Sequence, residues 1–154
     1  MSVVHATTIA RRLELGQPER HWRAVLLFGE SGSGKSDLAL RSLDAGWRLI
    51  SDDYTVVWAS AGRLWARAPD SIADRLEARG LGLLYAPRLT VAEIALQVTC
   101  QAGELERLPE AEVATLEGVE LPAIKLHALE TSALAKLHHA LVRRRLEPGQ
   151  DRPI

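Results

Sequence analysis

The chain has 154 residues, 47% hydrophobic and 25% charged, and its 19 Lys and Arg against 20 Asp and Glu leave a formal net charge of −1. Those proportions belong to an ordinary globular domain and exclude a disordered, collagen-like or disulfide-scaffold chain. Balanced charge gives nucleic acid no electrostatic footprint, the lone Cys100 excludes an internal disulfide or a cysteine-built zinc site, and no apolar run approaches the roughly 18 residues of a membrane span.

The opening Met-Ser-Val-Val-His-Ala has neither a basic n-region nor an apolar h-region, so a cytoplasmic protein without a signal peptide is expected. Val3 to Leu15 reads as extended, Gly16-Gln17-Pro18 as a turn, and Trp22 to Phe28 as a second, more buried strand. A glycine-rich stretch, residues 29 to 36, leads into a helix from about Lys35 to Ala45 that Gly46 stops. Leu49 to Asp53 is a short apolar strand ending in two carboxylates. Tyr54–Ser60 and Arg63–Ala66 flank Ala61-Gly62 as a β-hairpin, which makes Trp58 and Trp65 cross-strand packing partners. Pro69-Asp70-Ser71 signals a helix start and predicts a short helix over Ile72 to Arg79, broken by Gly80-Leu81-Gly82. Leu83–Tyr85 and Val91–Thr99 read as strands, residues 101 to 120 as acidic loop. A last amphipathic helix, capped by Thr131 or Ser132, runs to about Leu146, with 146–154 a frayed tail. With no repeat and no linker, one α/β domain over 1–154 is predicted, its sheet mixed because hairpins and βαβ connections both occur.

Gly29-Glu30-Ser31-Gly32-Ser33-Gly34-Lys35-Ser36 is the phosphate-binding loop pattern, set between an apolar strand and a helix. Glycines at 29, 32 and 34 let the backbone curl its N–H groups toward phosphate oxygens, and the helix offers its positive end to the same anion. Lys35 supplies a point charge to the β and γ phosphates and the Ser36 hydroxyl can ligate Mg²⁺. Asp52 and Asp53 close a strand at the end where ligands of α/β sheets gather. Adjacent strand residues face opposite ways, so one can serve the metal while the other takes a proton, unless the pair only caps a turn. Glu77, on a short helix, reads by itself as a solvated group.

Three blocks in order, Gly29 to Leu40, Gly46-Trp-Arg-Leu-Ile-Ser-Asp-Asp53 and Leu76-Glu-Ala-Arg-Gly-Leu-Gly-Leu83, resemble HPr kinase/phosphorylase. The resemblance covers residues 3 to 100 well and is greatest to short, single-domain alphaproteobacterial forms without the family's N-terminal domain. It implies a P-loop kinase core like that of phosphoenolpyruvate carboxykinase, using ATP and Mg²⁺ to phosphorylate a serine of HPr. By the same resemblance Asp53 is the base, and the acid of a reverse, phosphate-dependent removal, with Asp52 its charge partner. Glu77 becomes a Mg²⁺ ligand beside Ser36, and His5 orients the catalytic carboxylate. Arg79, Gly80 and Gly82 belong to the reaction and partner surface, and a homo-oligomer, a hexamer, is implied. Lys136 is the nearest counterpart of the family's C-terminal arginine, and the C-terminal block linked to the reverse reaction has no counterpart in residues 120 to 154.

Two other readings stand beside this one. A small-metabolite kinase of the shikimate or gluconate type would continue with an arginine-bearing lid where this chain has a Trp hairpin. A nucleotide-sensing module would bind ATP without transfer. His127, His138 and His139 lack chelating spacing, the last two diverging by roughly 100° on a helix. Arg143-Arg144-Arg145 reads as a solvated helix end.

Overall fold

In the computed structural model, which describes residues 1–13 and 21–142, the β-branched opening forms β1 (Ser2–Val4) and β2 (Thr7–Leu13), separated by a bend at His5-Ala6. Then come β3 (His21–Phe28), α1 (Lys35–Asp44), β4 (Arg48–Ser51), and the hairpin of β5 (Thr55–Ser60) and β6 (Arg63–Arg67). A second hairpin joins β7 (Arg75–Ala78) to β8 (Gly82–Tyr85), and β9 (Ala92–Cys100), β10 (Glu112–Leu116), β11 (Val119–Leu126) and α2 (Ala133–Val142) follow.

Among the described residues nine strands form one sheet in the order β1-β5-β6-β9-β3-β2-β4, with β11 also on β9 and β10 on β11. The pairs β3–β9 and β9–β11 are parallel and the rest antiparallel, so the sheet is mixed as expected. One edge of β9 is shared: β6 pairs with Ala92 and Glu93, β11 with Gln97 to Cys100. The parallel strands β3, β9 and β11 therefore end together at Phe28, Cys100 and Leu126, and the loops that follow them gather at one end of the sheet.

Two apolar layers lie on either side. One packs α1 and α2 on Val25, Leu27, Leu96 and Val98; the other joins Ala24, Leu26 and Ile94 to Val57 and Leu64 of the first hairpin. Along β9 the buried residues alternate without interruption from Ala92 to Cys100, a pattern that in a regular strand serves one face only. A register shift resolves this: Ala24 pairs with Ile94 but Val25 with Leu96, so Ala95 bulges out and the strand changes sides there.

Two elements differ from the sequence reading. Residues 72–79 are not a helix: a single 3-10 turn at Asp70–Ile72 precedes β7, where Leu76 and Ala78 are buried and Arg75 and Glu77 exposed. The spacing of Ile72, Leu76 and Arg79 imitated a helical face, whereas pairing with β8 selects the two-residue period. The stretch read as loop from 101 to 120 contains β10 and the start of β11. Trp58 pairs directly with Trp65, as expected. The 16–18 turn, the helix end at Leu146, Arg143–Arg145 and the 146–154 tail lie outside the described residues.

Candidate active site

Gly29 is where backbone must approach backbone: a Cβ there would stand 2.5 Å from the Cys100 carbonyl oxygen, at a φ of 150°. Glu30 and Ser33 close a turn (Ser33 N–H to Glu30 O, 3.0 Å), and Gly34, in the left-handed region at φ 94°, starts α1 by accepting the Leu38 N–H at 2.9 Å. Ser31 and Gly32 are exposed at the crest of the loop. Lys35 is buried, and its ammonium donates to the carbonyls of Gly29 at 2.5 Å and Glu30 at 3.0 Å. The charge is thereby held inside the curl of the loop. Beneath it Cys100 is a buried thiol, pushed up to about 11 by burial against a smaller opposing pull from Lys35, so it stays protonated.

Asp52 and Asp53 stand beyond the last residue of β4, in a bend, so turn geometry rather than strand alternation sets their directions. Asp52 is 8% exposed, and its Oδ1 accepts from Ser36 Oγ at 2.8 Å, Thr7 Oγ1 at 2.9 Å and the Asp53 N–H at 3.2 Å. The Glu77 N–H reaches Oδ2 at 3.5 Å. Hydrogen bonds to a charged acceptor contribute about 1.5–3 kcal/mol each, which offsets the burial of this carboxylate. The corner is stitched where two chain crossings run side by side, β1 to β2 and β4 to β5. Thr8 and Thr55 share a 2.7 Å hydroxyl contact, and Thr55 also donates to the Ala6 carbonyl at 2.9 Å. Thr7, Thr8 and Thr55 are fully buried, and the sequence carried no signal for them: they read as strand formers whose partners lie 45 or more residues away.

Asp53 differs from its neighbour in every respect. It is exposed, it adopts a left-handed φ of 62°, and no described residue hydrogen-bonds its carboxylate. Asp tolerates that region better than most residues, yet the conformation costs of order 1 kcal/mol and is held by the bonds around it. His5 stacks on Tyr54, the next residue along, with ring centroids 4.9 Å apart and planes 19° apart. No hydrogen bond joins His5 to Asp53 among the described residues.

Glu77, Arg79 and Gly80 are exposed on the β7–β8 hairpin, on or beside the strand that reaches Asp52. The register places Arg75 opposite Tyr85 and Glu77 opposite Leu83, so one hairpin face carries charges beside Leu83 and Tyr85, which are 68% and 89% exposed. Gly82 begins β8 and Leu81 sits exposed at the turn. The base of the hairpin is anchored by the Asp74–Arg88 ion pair and by backbone bonds between Leu49 and residues 87 and 89.

The remaining polar groups gather on the β11–α2 loop. Arg41 of α1, paired with Asp37 at 2.9 Å, donates to the carbonyls of Ala128 and Glu130. His127 Nδ1 meets Glu130 at 2.9 Å while its Nε2 faces the Gly103 carbonyl. Two acceptors on two ring nitrogens favour the doubly protonated ring, and His127 is accordingly raised, first by Glu130 and then by Gly103. Lys136 binds Glu130 at 2.7 Å. The His138 and His139 rings lie 5.3 Å apart, closer than helical divergence suggested, and no cluster of three or more His, Cys, Asp or Glu with metal-holding geometry occurs among the described residues. No described helix is long and apolar enough to cross a membrane.

Comparison with known proteins adds three findings. Residues 23–147 match the family model of the HPr Serine kinase C-terminal domain. The HPr kinase/phosphorylase of Cupriavidus necator is 31% identical over 131 residues, 77% of this chain and 41% of that protein, and that of Clostridium tetani is 40% identical over 65 residues, 42% of this chain and 21% of that protein. The chain thus spans about two fifths or less of the length of these curated relatives. Among solved structures, the HPr(Ser) kinase/phosphatase of Coxiella burnetii superimposes with a TM-score of 0.71 at 20% identity, covering 91% of this chain and 97% of that one, a likeness of fold.

Proposed function

The chain belongs to the HPr serine kinase C-terminal domain family, and from that premise we propose that it transfers the γ-phosphoryl group of ATP to a serine hydroxyl of HPr or an HPr-like phosphocarrier. The observation that carries the reading is the 2.8 Å bond from Ser36 to Asp52, which ties the phosphate loop to a carboxylate pair whose other member, Asp53, offers a carboxylate without a hydrogen-bond partner among the described residues. A buried, fully engaged carboxylate positions; an exposed, unengaged one accepts a proton.

In this reading residues 29–36 bind the triphosphate through backbone N–H groups and the start of α1, and Lys35 neutralises its charge. Asp53 takes the proton from the serine oxygen as that oxygen forms its bond to the γ-phosphorus and the bond to the ADP oxygen breaks. In the reverse, phosphate-dependent direction an oxygen of inorganic phosphate bonds to the seryl phosphorus, the bond to the serine oxygen breaks, and Asp53 returns the proton to that oxygen. Asp52 holds Ser36 and the Asp53 backbone in place, and His5 acts through its stack on Tyr54.

The Ser36 hydroxyl and the Glu77 carboxylate would supply hard oxygen donors to Mg²⁺, which takes one or two carboxylates together with substrate phosphates; the Glu77 backbone N–H, bonded to Asp52 at 3.5 Å, ties its strand to the Asp52 carboxylate that Ser36 also binds. When bound, the ion neutralises charge on the β and γ oxygens. Arg79, Gly80 and Gly82 meet the protein acceptor on the hairpin, where exposed Leu81, Leu83 and Tyr85 provide apolar contact. A cytoplasmic location and a homo-oligomeric, hexameric assembly complete the proposal.

The test is transfer from labelled ATP to purified HPr. The expected result is labelled HPr with the wild-type chain and a fall of roughly 10²–10⁴-fold for Asp53→Ala, the contribution of a positioned base. Equal rates for the two proteins would refute the base, and an unlabelled HPr would refute the acceptor.

A further inference from the structure

A second loop reaches the phosphate site. Glu130 N–H closes a turn on the His127 carbonyl at 3.1 Å, and the corner of that turn leans on Gly34. A Cβ built at Gly34 would stand 2.8 Å from Leu129 Cδ2 and 3.2 Å from Ala128 Cβ. Leu129 therefore touches the residue that opens α1, yet 67% of its surface faces solvent. It is held there rather than draped: Arg41, on the helix that begins at the loop, grips the carbonyls on both sides of it, and Glu130 is fixed by His127 and Lys136. Packing does not require an exposed leucine at the rim of an anion cradle, and phosphate oxygens gain nothing from it. A ligand that joins an apolar ring to its phosphates does.

We infer that Leu129 is a specificity-determining residue of the nucleotide site, forming the apolar wall on which the nucleoside part of a nucleoside triphosphate lies. The inference rests on the phosphate-loop reading above and adds the half of the ligand that the loop itself does not contact. Because α1 carries both Gly34 and Arg41, the wall and the phosphate cradle are parts of one rigid unit. The two halves of the ligand are thus received at a preset separation, which limits the ordering cost of binding.

The experiment compares Mg·ATP with Mg·tripolyphosphate, which has the phosphates and no nucleoside, by calorimetric titration of wild type, Leu129→Ser and Leu129→Met. Covering the exposed part of a leucine is worth about tenfold in affinity, so Leu129→Ser should weaken ATP about tenfold and leave tripolyphosphate unchanged, with Leu129→Met within about twofold of wild type. Unchanged ATP affinity in Leu129→Ser, or equal weakening of both ligands, overturns the inference while leaving the phosphate loop intact. Failure of the wild type to bind either ligand overturns the phosphate-loop reading itself, and the wall with it.

Discussion

The Asp52 corner and the β7–β8 hairpin meet at the hydrogen bond from the Glu77 N–H to Asp52, and on either side of it the chain is built on different terms. On one side the buried polar groups hold one another inside the protein: Ser36, Thr7 and the Asp53 N–H converge on Asp52, and Thr8 and Thr55 hold each other. On the other, Glu77, Arg79, Leu81, Leu83 and Tyr85 face solvent from a two-stranded ribbon. The part proposed to receive phosphate is fixed by bonds within the protein. The part proposed to receive a protein keeps its surface unspent.

That contrast breaks or sharpens under substitution. Asp52→Ala removes the acceptor from three or four donors at once and should lower the unfolding free energy by about 2–4 kcal/mol, read by urea denaturation. Asp53→Asn, one residue on, keeps a side chain tolerant of the left-handed region and should change it by no more than about 0.5 kcal/mol. Similar losses for the two would abolish the distinction between them. Leu83→Ser, on the open face, should be neutral in the same denaturation assay, within about 0.5 kcal/mol, while raising KM for HPr roughly three- to tenfold at unchanged KM for ATP. An unchanged KM for HPr would remove the hairpin from the acceptor surface.

The smallest effect expected is that of pH on the β11–α2 loop. His127 is raised above its ordinary 6.5, by Glu130 first and the Gly103 carbonyl second, so its contribution is complete below 6.5 and fades as pH climbs through the raised value. Glu130 is lowered from 4.5, by Lys136 first and His127 second, so its contribution is complete above 4.5 and fades on acidification through the lowered value. Both ions coexist between those limits. An NMR titration should find the His127 ring losing its proton above 6.5, and loss of the proton below that value would discard the His127–Glu130 contact.

How much of this was legible in the sequence depended on how local the cause was. The phosphate loop occupies eight consecutive residues, and the β5–β6 hairpin announces itself by Ala61-Gly62 between apolar runs. Residues 75–78 were not legible, because four residues cannot separate a period of two from one of 3.6 and only β8 decides. In β11, Pro122 is tolerated because β11 has β10 on one side there and has not yet joined β9 on the other. The carboxylates were visible as candidates with separate duties, but not the contacts that bury one of them, since Thr7 and Ser36 reach Asp52 across 45 and 16 residues. Leu129 and Arg41 gave no sign at all: their contacts span up to 89 residues.

The extra residue at Ala95 bears on where the phosphate loop can sit. A regular alternating strand can slide by two positions past its neighbour and still present apolar groups to the same side, so alternation alone is a weak guard against misalignment. In β9 such a slide would carry the change of sides away from the Ala24–Val25 step and strand apolar groups in the wrong layer. The kink thus acts as an indexing notch, and five residues downstream it sets the Cys100 carbonyl against Gly29, where one misplaced step would leave the glycine-rich loop without its floor.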